Sequence, residues 1–257
     1  MTTAAVSGML LVTNRNALQE FHVDSPLTEE ASGVLYKLPN LRDLEVVIEK
    51  GTRLPSASLP NLTELTIRCN NEDEWPQLFH GATFGNLRSV TFLLRSEEIG
   101  DFLGVFERAV LSLSVQNTLS KFRLSAQYLW TPKFSSLLPS TQLVDLDIGS
   151  FCNGGCSSRL VGNIVISLSR AMSKLETLTL GDRPCDQSTI GITTMGLLAL
   201  AHRCPQLSSF CVHLQVASLG EPPGIPGMVP GVGPATSWKD CALAELIVGE
   251  TPVPEGR

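Results

Sequence analysis

Cysteine and histidine residues are the first candidates for chemistry in this sequence, because both types ligate metal ions. Six of them lie in two groups: Cys152, Cys156, His202, Cys204, Cys211 and His213. Structural zinc sites usually contain tight Cys-x-x-Cys or His-x3–5-His spacings, and neither occurs among these six. Cys204 is better explained as a small buried residue, since a free cysteine behaves as a small hydrophobe. We therefore expect no metal and no other cofactor.

Two carboxylates separated by a single residue, Asp145 and Asp147, are candidates for acid–base catalysis. On a strand they would project from the same side, about 7 Å apart. Acid–base work needs surroundings that make one carboxyl an acid and the other a base, and the sequence contains no sign of a water-excluding cleft. It also lacks the Gly-x-Ser-x-Gly, phosphate-loop and His-Glu-x-x-His motifs. The sequence predicts no enzyme.

Charge and hydropathy exclude further classes of function. The chain has 19 basic and 25 acidic residues, a net charge of −6, whereas nucleic-acid binding needs a clustered basic surplus. The apolar start lacks the basic residues and cleavage site of a signal peptide, and no apolar segment approaches the roughly 20 residues that span a bilayer. Seven irregularly spaced cysteines indicate reduced thiols. We expect a cytoplasmic or nuclear protein that contacts neither nucleic acid nor membrane.

A repeated sequence pattern predicts the secondary-structure elements that position these residues. The stretch LPNLRDLEVVIE (38–49) returns as LPNLTELTIRCN (59–70), with two apolar residues three apart and a third two farther on. This triplet recurs at intervals of 21 to 36 residues. Its nine copies begin at Leu18, Leu41, Leu62, Leu87, Leu119, Leu143, Leu175, Leu207 and Leu243.

Short strands written Leu-x-x-Leu-x-Leu, each followed by a return segment, are typical of leucine-rich repeats. The predicted fold is α/β: a horseshoe-shaped solenoid with a parallel strand ladder on its concave face and helices or loops on its convex face. Apolar residues three and four apart predict helices over 27–38, 101–114, 158–172 and 194–203. Asn70 alone matches the asparagine or cysteine that many such repeats carry, so strand ends must satisfy their polar groups in another way.

Four segments organise the chain in this interpretation. Residues 1–16 form a partial N-terminal repeat or helix, and residues 17–218 form the repeat array. Residues 219–236 form a loop rich in proline and glycine, which is a surface connection or a binding segment. Residues 237–257 form the last repeat and a truncated C-terminus, since terminal repeats normally carry polar caps.

Outward-facing strand positions are the predicted protein-binding surface of the concave face. The central ones are His22, Glu45, Thr66, Thr91, Arg123, Asp147, Thr179, Cys211 and Ile247, with His213 as a flanking position. Acidic residues make the N-terminal half of this surface negative: Glu20, Asp24, Asp43, Glu45 and Glu64. Two interpretations remain open: these acids attract a basic partner segment, or they are solvated residues that keep the sheet soluble.

The segments TMGLLALAHRCPQLSSFCV (194–212) and WKDCALAELIVGETPVPE (238–255) resemble the cysteine-containing repeats of fungal F-box/leucine-rich-repeat proteins. The resemblance implies the substrate-recognition part of a ubiquitin-ligase receptor, with a substrate protein on the concave face. No F-box-like segment precedes the first repeat, so the chain is expected to be a fragment or to have lost ligase recruitment. A cullin–RING ligase adaptor is a partner only if an F-box exists outside this chain. The alternative is a small-molecule-sensing repeat module, for which Trp130 and Arg95 are the suggestive residues.

Overall fold

The computed structural model describes residues 16–26, 35, 38–48, 59–69, 84–94, 118–126, 142–150, 159–161, 163–180, 189–191, 194–214 and 245–250. The chain divides into two compact units, Met1–Leu124 and Ser125–Arg257. The predictions for residues 1–15, for the helix over 101–114 and for the loop over 219–236 lie outside the described residues.

The first unit contains a ladder of parallel strands. These are β1 (Glu20–Pro26), β2 (Asp43–Ile48), β3 (Glu64–Cys69), β4 (Ser89–Leu94) and β5 (Lys121–Ala126), whose first four residues belong to this unit. The strands follow one another in chain order. Pairing is parallel from β1 through β4, and corresponding repeat positions face each other, as in Leu44 opposite Leu65 and Leu65 opposite Val90.

The second unit contains four further strands of this kind and two helices. Its elements are β6 (Asp145–Ser150), β7 (Arg159–Val161), α1 (Asn163–Ala171), β8 (Thr177–Leu180), β9 (Thr189–Gly191), α2 (Thr194–Arg203), β10 (Ser209–Leu214) and β11 (Glu245–Glu250). The order β6-β8-β10-β11 is parallel throughout. β7 and β9 form a separate two-stranded parallel sheet. Parallel strands with few helices among the described residues are consistent with an α/β, solenoid-like arrangement.

The helix predictions are confirmed in one case and corrected in another. α2 has the predicted bounds, Thr194–Arg203. The helix predicted over 158–172 is too long, because residues 159–161 form β7 and only residues 163–171 are helical. β7 forms by pairing with β9, about 30 residues away, and local apolar spacing contains no signal of such a contact. In the helix predicted over 27–38, Leu35 is helical but Leu38 already lies beyond the helix.

The apolar triplets are buried, as predicted. The second and third members of six repeats are at most 1% exposed; they are Leu44, Val46, Leu65, Ile67, Val90, Phe92, Phe122, Leu124, Leu146, Ile148, Leu178 and Leu180. The first repeat differs, since Leu18, Phe21 and Val23 are only half-buried. Among the described residues, β1 has a neighbouring strand on one side only, so nothing described there covers these three side chains. Each strand's apolar residues are buried by the strands beside it.

One backbone carbonyl in each repeat fixes the register of the next. The Arg42 carbonyl accepts hydrogen bonds from the amides of Thr63 (2.8 Å) and Glu64 (2.9 Å), and from the Thr63 hydroxyl (3.0 Å). The equivalent carbonyls, which each accept two amides from the following repeat, belong to Gln19, Thr63, Arg88, Val144 and Glu176. These bonds satisfy the backbone polar groups where the strands start.

The asparagine that precedes the first leucine of a repeat, in the two Leu-Pro-Asn-Leu segments and in Phe-Gly-Asn-Leu (84–87), makes a second set of contacts between repeats. The Nδ2 atom of Asn61 donates to the Pro39 carbonyl (2.6 Å), and Asn86 donates to the Pro60 carbonyl (2.7 Å) in the same way. Asn40 does likewise with the Asn16 carbonyl (2.7 Å). These three side chains, here called the asparagine ladder, join consecutive repeats of the first unit.

A tight turn places a buried residue three positions before the first leucine of a repeat. The Leu62 amide donates to the Leu59 carbonyl (3.3 Å), and the Leu207 amide donates to the Cys204 carbonyl (3.0 Å). Leu59 is 4% exposed and Cys204 is fully buried, which confirms the interpretation of Cys204 as a small core residue. Its Sγ contacts the Met172 carbonyl at 3.4 Å, in the corresponding turn of the previous repeat.

Leu178 and Thr179 provide a matched test of this core. Leu178 is fully buried, whereas Thr179 is only partly covered. Leu178→Ala is expected to lower the free energy of unfolding by about 2–5 kcal/mol, because a cavity remains in a packed core. Thr179→Ala should lower it by less than about 1 kcal/mol. Urea denaturation measures both values, and equal losses would show that the strand does not bury the leucine side.

The asparagine ladder can be tested by truncating one of its members. Asn61→Ala removes the donor to the Pro39 carbonyl and should lower the free energy of unfolding by about 0.5–1.5 kcal/mol. Gln206→Ala is the control at the equivalent position before β10, where Gln206 is exposed and has no side-chain hydrogen bond to a described residue. The Gln206 variant should unfold like the native chain. Equal free energies of unfolding for the two variants would show that the asparagine ladder does not contribute to stability.

Candidate protein-binding surface

The register aligns the predicted central positions of the first unit into a row. His22 lies opposite Glu45, Glu45 opposite Thr66, and Thr66 opposite Thr91, on four successive strands. We call these four residues the first central row. They alternate along their strands with buried residues such as Leu44 and Val46, which puts the row on the face opposite the core.

A second row lies in the second unit. Asp147 faces Thr179, which faces Cys211, which faces Ile247. Thr179 and Cys211 are partly exposed. In the first unit, Arg123 has the corresponding position in the repeat pattern, on β5, and is exposed. The backbone of His213 lies opposite Gly249 on the same ladder, and its side chain is outside the described residues.

The first central row contains a charge network. Glu45 on β2 accepts from both neighbouring strands: His22 Nδ1 lies 2.9 Å from its Oε2, and Arg68 forms an ion pair with its Oε1. His22 Nε2 also lies 3.5 Å from Asp43 Oδ2, and Arg68 Nη1 lies 2.9 Å from Asp24 Oδ1. Three of the five predicted acids therefore contact a histidine or an arginine on another strand: Asp43 and Glu45 on an adjacent strand, and Asp24 across β2.

Arg68 was not among the predicted site residues. It lies two residues beyond Thr66, on the same side of β3, but outside the apolar triplet that defined the central positions. Alternation along the strand would have found it. Its Nε atom is buried and has no hydrogen-bond partner among the described residues, so the guanidinium uses its two outer nitrogens for Asp24 and Glu45.

Carboxylates at the start of the strands remain available. Glu20, Asp43 and Glu64 lie opposite one another on β1, β2 and β3, about 4.8 Å apart from strand to strand. Glu20 and Glu64 are exposed and form no ion pair with any described residue. Like charges opposite one another are unfavourable within a sheet, and a cation from outside the chain would relieve that repulsion.

The candidates for metal binding and catalysis lie partly in the second unit and partly outside the described residues. Within the described stretches, no three histidine, cysteine, aspartate or glutamate residues are close enough to hold a metal ion. Cys152 and Cys156 lie outside those stretches. Asp145 and Asp147 face Thr177 and Thr179 on the neighbouring strand. Trp130 and Arg95, which the small-molecule alternative needs, are also outside the described residues.

No protein-family model matches the chain, and no curated protein is similar enough to count as a relative. Among the helices that the structure describes, none is long and apolar enough to cross a bilayer.

The energy of the network can be measured with a double-mutant cycle on Arg68→Met and Glu45→Gln. Arg68 is 40% exposed and Glu45 is 17% exposed, so solvent screens the pair in part. We expect a coupling free energy of about 0.5–1 kcal/mol in low salt, decreasing as salt is added.

The control cycle pairs Arg88→Met with Glu45→Gln. Arg88 is exposed and forms no ion pair with a described residue, so the two changes should be additive within about 0.5 kcal/mol. Equal coupling in both cycles would mean that the effect is one of net charge and not of the contact.

Proposed function

We propose that the chain is a leucine-rich-repeat protein that binds another protein through the outward strand positions of its parallel ladder. The observation that carries the proposal is the register of the first central row, which brings one side chain from each of four strands onto one face. Consecutive strands supply neighbouring contact points, so a partner that lies across the strands can contact all of them.

The chemistry of this face favours a partner with a basic segment. Glu20 and Glu64 are exposed at the strand starts and lack ion-pair partners among the described residues. A lysine- or arginine-rich segment crossing β1 to β3 would meet these carboxylates, and complementary charge accelerates encounter and fixes orientation. Thr66 and Thr91 offer hydroxyl groups beside them for hydrogen bonds.

The biological role that we propose is substrate recognition for a ubiquitin ligase of the F-box type. Its support is the resemblance of the segments at 194–212 and 238–255 to F-box/leucine-rich-repeat proteins. In that role the captured protein is the one to be ubiquitinated. The ligase adaptor becomes a partner only through an F-box outside the sequence described.

Affinity capture followed by a binding measurement tests the proposal. The immobilised chain captures proteins from an extract of its own cells, and the dissociation constant of each purified candidate is then measured. Thr66→Lys combined with Thr91→Lys places two cations in the first central row. We expect this variant to bind a true partner at least about tenfold more weakly, through bulk and charge repulsion.

Ser173→Lys combined with Gln206→Lys is the matched control. Both residues are exposed, lie outside the two rows, and have no side-chain hydrogen bond to a described residue. This variant adds the same charge and should bind normally. A captured protein that binds all three forms equally would contradict the assignment of the row.

The ligase role has its own readout. We expect the adaptor and cullin to co-purify with the protein expressed from its own gene. Capture of a row-dependent partner without the adaptor would leave an interaction scaffold and overturn the ligase role.

A further inference from the structure

A polar depression lies at the edge of the first unit where the strands begin. It has a volume of about 310 Å³. We call it the strand-edge depression. Its lining consists of Asn40, Arg42, Asn61, Thr63, Asn86 and Arg88. These residues belong to the turns and strand starts of three successive repeats, so each repeat contributes one asparagine and one further polar residue.

The walls of the depression are held by bonds between repeats. Each asparagine donates through Nδ2 to a carbonyl of the preceding repeat at 2.6–2.7 Å. Thr63 donates its hydroxyl hydrogen to the Arg42 carbonyl at 3.0 Å. A carboxamide has a second N–H and an acceptor oxygen, so every asparagine retains capacity for a ligand. The lining is therefore positioned before any ligand arrives.

Two of the lining residues, Arg42 and Arg88, carry guanidinium groups. Arg42 and Arg88 are exposed, and neither forms an ion pair or a side-chain hydrogen bond with a described residue. Their strands are separated by the strand that carries Thr63, which places the two backbone positions about 9.6 Å apart. Arg68, by contrast, is paired with two carboxylates. The two edge arginines thus keep their five N–H donors each for a ligand.

We propose that the strand-edge depression binds an extended acidic segment of a partner protein. Carboxylates two residues apart in such a segment are separated by about 7 Å. The backbone positions of the two arginines are about 9.6 Å apart, so their flexible side chains can reach both carboxylates. Each guanidinium forms a bidentate contact with one carboxylate. The amide of Asn61 and the hydroxyl oxygen of Thr63, which lie between the arginines, bond the backbone of the bound segment.

A polynucleotide is a poorer occupant than an acidic peptide. The lining contains only two basic residues, Arg42 and Arg88. Two arginines neutralise too few phosphates for strong binding by counterion release. A short peptide with two or three carboxylates places its charge only where the arginines lie.

The site is separate from the first central row. The row faces away from the core on the strands themselves, whereas the depression lies in the residues that precede β2, β3 and β4. An acidic segment at the edge and a basic segment on the face can therefore be tested independently.

Fluorescence anisotropy with a labelled Gly-Asp-Gly-Asp-Gly-Asp-Gly peptide tests the proposal on the full chain. We expect saturable binding, and binding at least about tenfold weaker for Arg42→Gln combined with Arg88→Gln. The Asn-substituted peptide Gly-Asn-Gly-Asn-Gly-Asn-Gly should not bind. Lys174→Gln removes an exposed cation that contacts Gln142 at 2.7 Å in the second unit and should bind the acidic peptide normally.

Further arms separate the alternatives. The face variant with Thr66→Lys and Thr91→Lys should keep its affinity for the acidic peptide within about twofold, even if it loses the partner of the central row. Thermal melts check that each variant is folded. Absence of peptide binding by the native chain, equal binding by the double arginine variant, or stronger binding of a single-stranded oligonucleotide would each overturn the proposal.

Discussion

The contact between one carbonyl and two amides of the next repeat is the constraint on which the other features depend. At Arg42, Thr63 and Arg88 the carbonyl accepts two consecutive N–H groups of the following repeat at 2.8–3.0 Å. This bond fixes the start of each strand, and parallel pairing then determines which residues face each other. A slip by one residue would turn every leucine of a strand to the wrong side, so the buried triplet and the hydrogen bond define the same register. The central rows and the strand-edge depression both result from it.

Burial of alternate side chains explains how much of the fold the sequence predicts. The triplet is a local pattern whose members point to one side, so six repeats could be assigned to buried strands from spacing alone. α2 is also predictable from a local pattern, because its apolar residues recur three and four positions apart within ten residues. β7 was missed because its three residues become a strand only through β9. Its sequence carries no pattern long enough to distinguish a strand from the start of a helix.

Some features of the candidate sites can likewise be predicted from local sequence, and others depend on contacts between distant residues. The central positions follow from strand alternation, which requires only the triplet. Alternation places Arg68 on the outward side of its strand, but its contacts with Asp24 and Glu45 depend on the order of the strands in the sheet. The depression does not follow from the sequence, because the asparagine of Leu-Pro-Asn-Leu bonds a carbonyl 22 residues earlier and no local pattern indicates that contact. Face and edge carry opposite charge: exposed carboxylates at Glu20 and Glu64, and guanidinium groups at Arg42 and Arg88.

The carbonyl and asparagine bonds that fix the strand register lie in the turn and the strand start, and not in the return segments. In the second unit the return segments also pair with each other, through β7 and β9, but outside the ladder. First leucines are separated by as few as 21 residues and as many as 36, yet the strands that the structure describes keep corresponding residues opposite each other. Insertions and deletions in the return segments can therefore accumulate during evolution without shifting any outward side chain relative to its neighbours. Such a chain can change its length and its surface chemistry separately, one repeat at a time.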